Sequence, residues 1–73
     1  MVIVKEILDA YPGNFEISIY DWTRFDDYKT SIPLFRGKSL DVPFVLNGCN
    51  VLRIEPKPKK LLCLFIDPVS EAS

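Results

Sequence analysis

The feature that most constrains this chain is an unbroken apolar run, Leu-Leu-Cys-Leu-Phe-Ile, at positions 61–66. It lies between two lysines and the dipeptide Asp67-Pro68. A run this short, bounded by charge and proline, is typical of a strand that is buried on both faces. The preceding segment, residues 50–55, lies just across a loop rich in lysine and proline. We therefore expect an antiparallel hairpin around which the rest of the chain folds.

The N-terminal segment has the spacing of an amphipathic helix. Apolar residues recur at helical intervals from Ile3 to Tyr11, and charged residues fall between them, which predicts a helix of about two turns. Pro12-Gly13 should end it. A helix this short is unstable alone in water, so we expect its apolar side to pack on a sheet.

Residues 15–22 alternate along the chain and predict a half-buried strand. Ile17 and Ile19 should face the helix, whereas Tyr20 and Trp22 should face away from it. The outer face of this strand is therefore aromatic, and it is either covered by another element or exposed.

The middle of the chain predicts a second strand and a turn. Residues 31–36 have strand character, and Pro33 confines that strand to a sheet edge or a bulge. Residues 39–48 predict a short helical turn with Pro43 in its first turn. The alternative is a tight hairpin turn at Asn47-Gly48.

Together these elements predict an α+β fold. A short N-terminal helix packs on a roughly four-stranded antiparallel sheet in one domain, residues 1–68, and residues 69–73 form a frayed tail. The alternative is a small open β-barrel. A domain of 73 residues buries only about 60% of the surface that its unfolded chain exposes, so a partner subunit would add to its stability.

Composition argues against several classes of function. Nine basic and ten acidic residues give a net charge of −1, so no global field attracts nucleic acid or an acidic membrane. There is no histidine, and Cys49 and Cys63 alone cannot complete a tetrahedral zinc site. Neither cysteine has a histidine to activate it as a nucleophile. We expect two free structural thiols, with a disulfide as the formal alternative, and no catalytic, metal or cofactor site.

The expected location is the cytoplasm. The first residues lack the basic and then apolar pattern of a signal peptide, and no apolar run approaches the roughly 20 residues of a membrane-spanning helix. Two free thiols also suit a reducing compartment.

Three carboxylates, Asp21, Asp26 and Asp27, form the densest acidic cluster. Such a cluster can hold a hard cation or act as an acid–base pair. The more common role of aspartates at the end of a strand is to stabilise turns that face water, and this is the interpretation we favour.

Aromatic and basic residues interleave after the first predicted strand, and we call them the aromatic–basic group. Its members are Tyr20, Trp22, Arg24, Phe25, Tyr28 and Lys29. Aromatic rings beside cations suit a protein-binding surface, or they stack bases while cations, including Arg36, contact phosphates. The structural alternative, which we favour, is a second small core closing over the outer face of the sheet.

Four short segments carry a resemblance: VKEILDA at 4–10, ISIYD at 17–21, Gly37 ahead of DVP at 41–43, and VLRI at 51–54. Together they resemble small uncharacterised proteins encoded in phages and prophages. The chain departs from that pattern after the Val-Pro pair, where those proteins tend to have acidic residues and this chain has Phe-Val-Leu. The resemblance implies a small intracellular accessory protein of a mobile element, with no known activity or site residues.

The absence of a catalytic constellation and the surplus of apolar and aromatic residues lead to one functional expectation. We expect a non-enzymatic protein-interaction module whose partner is another protein or a second copy of itself. The alternative is a weak nucleic-acid-binding domain that uses the aromatic and basic face.

Overall fold

The computed structural model describes residues 2–11, 13–58 and 61–68. Within these ranges one helix and four strands form the fold: α1 Val4–Ala10, β1 Glu16–Asp21, β2 Phe35–Lys38, β3 Asn50–Lys57 and β4 Leu61–Asp67. The predicted frayed tail at 69–73 lies outside the described residues.

The strands form one sheet in the order β2-β1-β4-β3. The predicted hairpin is confirmed, since β3 pairs antiparallel with β4, and β2 pairs antiparallel with β1. The α+β class is therefore confirmed, and the sheet is open rather than closed into a barrel. The expectation of a wholly antiparallel sheet is wrong at its centre, where β1 and β4 run parallel.

The parallel pair follows from which strands are most apolar. The inner residues of β1 and β4 are buried in an unbroken series, so these two strands gain most from central positions with both faces covered. The chain reaches β4 by way of both edges of the sheet, first β2 and then β3. After that route β4 runs in the same direction as β1.

One face of the sheet packs against α1, as predicted. Val4 and Ile7 of the helix contact Ile17 and Ile19 of β1, and the same core includes the inward-facing residues of β4: Leu62, Leu64 and Ile66. Complete burial of one such side chain contributes about 1.5–3 kcal/mol. This core is what holds so short a helix in place.

The start of α1 is fixed by tertiary hydrogen bonds. The Val4 N–H donates to the carbonyl of Cys49 and the Lys5 N–H to the carbonyl of Asn47, both at 3.0 Å. The Glu6 side chain also accepts the N–H of Ile3 at 3.0 Å. The N–H groups of Val4 and Lys5 have no partner within the helix, and the segment that leads into β3 supplies one for each.

The second strand is shifted relative to the predicted range of 31–36, because β2 begins only at Phe35. Ser31 belongs to the preceding loop: its N–H donates to the Asp27 carbonyl at 3.0 Å, and its hydroxyl accepts the Asp26 N–H at 2.8 Å. The edge position expected from Pro33 is confirmed, although the proline lies before the strand.

The predicted helical turn at 39–48 is two 3₁₀ turns, Ser39–Asp41 and Phe44–Leu46. Pro43 separates them because a proline has no N–H to donate and disfavours a helical conformation at the preceding residue. Val42 accordingly has a ψ of 128°. Asn47-Gly48 does not join two strands, so the alternative hairpin turn is wrong.

Candidate functional site

The face of the sheet opposite α1 carries a second core, as we favoured from the sequence. Tyr20 of β1 and Cys63 and Phe65 of β4 are buried there, with Phe25 packed against them. The segment 22–34, here named the covering loop, closes over this face. The predicted second small core is confirmed.

Phe65 is the centre of this aromatic core and is only 1% exposed. Its ring centroid lies 4.8 Å from that of Phe25, 5.3 Å from Trp22 and 5.7 Å from Tyr20. Tyr28 also contacts it edge-on at 6.2 Å. Contacts of this kind add about 0.5–1.5 kcal/mol per pair beyond burial, so these aromatics stabilise the domain itself.

The aromatic–basic group is therefore not one open surface. Tyr20 is buried and Phe25 is half-buried. Trp22 and Tyr28 remain 42% and 44% exposed, and the two cations of the group, Arg24 and Lys29, lie in water. Only the rim of this group is available to a partner.

A three-residue clasp fastens the covering loop to β3. The Tyr28 hydroxyl donates to Glu55 Oε1 at 2.6 Å, and Lys57 Nζ donates to the same oxygen at 3.1 Å. Lys57 Nζ also lies 4.3 Å from the centre of the Tyr28 ring. We call Tyr28, Glu55 and Lys57 the clasp.

The clasp shifts the ionisation of its members. The hydrogen bond from Tyr28, and then the one from Lys57, lowers the pKa of Glu55. Partial burial raises the pKa of Tyr28, and donation to Glu55 raises it further. Both shifts favour an ionised Glu55 facing a protonated Tyr28, which is the state that keeps the covering loop on β3.

Two of the three aspartates, Asp21 and Asp27, have the turn roles that we favoured. Asp21 Oδ1 accepts the N–H and the hydroxyl of Thr23 at 3.0 and 2.6 Å. Asp27 Oδ1 accepts the N–H groups of Thr30 and Lys29, which lower the pKa of Asp27. Within the described ranges, no three Asp, Glu, Cys or His side chains are arranged to hold a metal ion.

Neither cysteine forms a disulfide bond, and each lies in a different core. Cys49 is buried on the helix side of the sheet and Cys63 on the aromatic side. Burial raises the pKa of the Cys63 thiol, which disfavours the reactive thiolate. Cys63 therefore has a less reactive thiol than an exposed cysteine would have.

Sequence reasoning missed a set of exposed apolar side chains on the two 3₁₀ turns. Leu40, Phe44 and Val45 are 77%, 86% and 72% exposed, and we call them the turn patch. The signal was present in the sequence, since Phe44-Val45 follows Pro43 in a segment too short to bury both of its sides.

Two neighbouring clefts adjoin the turn patch. Phe44 and Val45 line one of about 360 Å³, and Leu40 lines another of about 230 Å³. Lys5 and Asn47 line both clefts, so the two clefts meet at the flank of α1.

Comparisons of this chain with protein-family models, with curated proteins and with solved structures gave no match. The resemblance to phage and prophage proteins therefore stays a prediction. In the part of the chain that the structure describes, no helix has the length and apolar character needed to cross a membrane.

Proposed function

We propose that this chain is a small non-enzymatic accessory protein that acts as a protein-interaction module, with the turn patch as its contact surface. One observation carries the proposal: Phe44, Val45 and Leu40 are each more than two thirds exposed on a single segment. Large apolar side chains that are exposed close together in the sequence are typical of protein-binding sites.

The turn patch is held rigidly, which favours binding. The Leu46 N–H donates to the Pro43 carbonyl at 3.0 Å, and the Asn47 N–H donates to the Phe44 carbonyl at 3.1 Å. Val42 and Leu46 pack against the helix-side core. The segment is thus fixed to the core by Val42 and Leu46 while Phe44 and Val45 face solvent. Little conformational entropy is therefore lost when a partner binds.

The proposal includes a cytoplasmic location and the option of self-association. The lack of a disulfide bond between Cys49 and Cys63 supports a reducing compartment. A second copy is one candidate partner because an apolar patch on so small a domain is stabilised by burial in a dimer.

The experiment compares the wild-type chain with Phe44→Ser/Val45→Ser. Light scattering over a range of concentrations measures self-association, and pull-down from the native host measures capture of another protein. We expect the wild-type chain to associate or to capture a partner, and the double variant to lose this.

The matched control is Leu52→Ser, which removes an exposed apolar side chain from β3 and should leave the interaction intact. Two results together would contradict the proposal: the wild-type chain is monomeric at all concentrations, and it captures the same proteins as the double variant.

The alternative, weak nucleic-acid binding, has one observation in its favour. Arg36 of β2 pairs opposite Ser18, and Arg53 of β3 pairs opposite Phe65, which places cations at both edges of the aromatic face. The burial of Tyr20 removes one ring that would stack on bases. A gel-shift titration at low salt tests this alternative, and no retardation of single- or double-stranded nucleic acid would exclude it.

A further inference from the structure

Strand β2 presents an unpaired backbone edge. The Ser39 N–H donates to the Phe15 carbonyl at 2.7 Å, and Gly37 lies opposite Ile17 in the same register. Because alternate residues of an antiparallel strand bond to the neighbouring strand, Arg36 and Lys38 point their N–H and C=O groups away from β1. Of the strands formed by the described residues, none lies beyond β2.

The other edge of the sheet is protected, unlike β2. The Val51 N–H donates to the Val2 carbonyl at 2.8 Å, a bulge interrupts β3 between Val51 and Arg53, and Pro56 has no N–H to donate. Bulges and prolines block strand addition. The edge of β2 has neither feature.

The side chains of β2 make its edge cationic on the aromatic face. Arg36 is exposed and forms no ion pair with any residue that the structure describes. Lys38 is 3.4 Å from Glu16 of the neighbouring strand. The exposed apolar residues Leu34 and Leu40 flank the strand at its two ends.

These charges argue against a second copy as the occupant of this edge. Residues directly opposite each other in an antiparallel pair share a face of the sheet. Two copies of β2 related by a two-fold axis would therefore place Arg36 opposite Arg36 or Lys38 of the other copy. Like charges in direct opposition destabilise the pairing.

We propose that β2 binds an extended acidic segment of a partner protein by strand addition, with carboxylates at alternate positions opposite Arg36 and Lys38. This inference rests on the proposed function and assigns that partner a second contact.

The test is an NMR titration of the full chain with an eight-residue peptide that alternates valine and glutamate. The control peptide alternates valine and lysine. We expect the glutamate peptide to slow hydrogen exchange at the Arg36 and Lys38 amides and to bind about tenfold more tightly than the lysine peptide. Equal binding of the two peptides, no binding, or shifts confined to residues away from β2 would overturn the inference.

Two variants sharpen the test. Arg36→Glu should weaken binding of the glutamate peptide about fivefold or more, whereas the matched Arg53→Glu on the opposite edge should leave it unchanged. Arg36→Pro removes the outward N–H without breaking a bond to β1, and it should abolish binding while circular dichroism shows a folded chain. Binding that survives both changes at Arg36 would overturn strand addition.

The two proposals fail in different ways. In the first case, Phe44→Ser/Val45→Ser loses the partner, Arg36→Pro keeps it, and the wild-type chain does not bind the peptide. This result overturns strand addition and leaves the turn patch as the site. In the second case, the peptide binds at β2, and Phe44→Ser/Val45→Ser captures the same proteins as the wild-type chain. This result supports strand addition and contradicts the proposal that the turn patch is a contact surface.

Discussion

Phe65 is the residue on which the aromatic half of the molecule depends. Its ring contacts four other aromatic side chains, and three of these belong to the covering loop rather than to the sheet. A change at Phe65 therefore alters both the stability of the domain and the packing of the loop.

We predict that Phe65→Leu lowers the free energy of unfolding by about 1–2 kcal/mol, because the smaller side chain loses ring contacts and leaves a partial cavity. Urea unfolding measures the loss, and the emission of Trp22 should change in the native state. The control is Ile19→Val on the helix side, expected to cost about 1 kcal/mol with the emission of Trp22 unaltered. An equal change of emission in both variants would contradict this account.

Gly37 is a second residue whose role depends on one neighbour. A Cβ atom at this position would lie 3.1 Å from Cζ of the Phe35 ring, closer than an ordinary van der Waals contact. An aromatic ring that covers a glycine on an edge strand protects the backbone there. The ring occupies the space that a side chain would fill.

We predict that Gly37→Ala destabilises the chain by about 1 kcal/mol, because the added methyl group displaces the Phe35 ring. In a Phe35→Leu background the same change should be neutral or stabilising, since alanine is favoured over glycine in a strand. A double-mutant cycle of thermal unfolding measures the coupling. Additive effects of the two substitutions would show that the ring is not displaced.

At the scale of elements, the clasp controls how the covering loop attaches to the sheet. Glu55 has a lowered pKa in the folded chain. A carboxylate with a depressed pKa contributes stability that is complete above its unfolded value and is lost as the pH falls through the folded value. Attachment of the loop is therefore sensitive to acid.

We predict that acrylamide quenching of Trp22 rises as the pH falls below the ordinary value of 4.5 for Glu55, because protonation weakens its bonds to Tyr28 and Lys57. Glu55→Gln should remove most of this step. Asp27 also has a lowered pKa within the loop, so Asp27→Asn is the necessary comparison. A pH profile that Glu55→Gln leaves intact would assign the step to another group.

The elements that the sequence predicts well are those with a local signal. The periodicity of α1 and the apolar run of β4 set their own positions, and the proline-rich loop between β3 and β4 joins neighbours in the sequence. The parallel pairing of β1 with β4 has no local signal, because it depends on which strands compete for the centre of the sheet. The start of β2 depended on side-chain hydrogen bonds of Ser31 and the neighbouring aspartates.

The candidate site was predictable only in part, for the same reason. The aromatic–basic group was recognised as a set, and its closure into a core was the favoured interpretation. The turn patch was missed because residues 39–48 were predicted as a single helical turn, and that prediction gave no orientation to the apolar residues after Pro43. Pro43 divides that turn, and the division sets which side chains face solvent.

At the scale of the whole molecule, β4 belongs to both cores. Leu64 and Ile66 pack on the helix side, whereas Cys63 and Phe65 pack on the aromatic side. Neither core survives the removal of this strand, so we expect the domain to unfold in one cooperative transition.

The two thiols test that cooperativity, because each lies in a different core. We predict that Cys49→Ala and Cys63→Ala, each with one remaining thiol, each give a single opening free energy in native-state labelling with a thiol reagent. That value should equal the free energy of global unfolding of the same variant. Much faster labelling of Cys63 than of Cys49 would show that the covering loop opens separately.

The central parallel pair has a consequence for synthesis of the chain. The first strand of the sheet to be synthesised, β1, pairs with β4, and β2 and β3 lie between them in the sequence. The growing polypeptide therefore exposes the apolar side chains of β1 until β4 has been made. Domains with such long-range pairing fold slowly and are exposed to aggregation while they wait. A nascent chain stalled before β4 should therefore need a chaperone, whereas a nascent chain in which β4 has emerged from the ribosome should not.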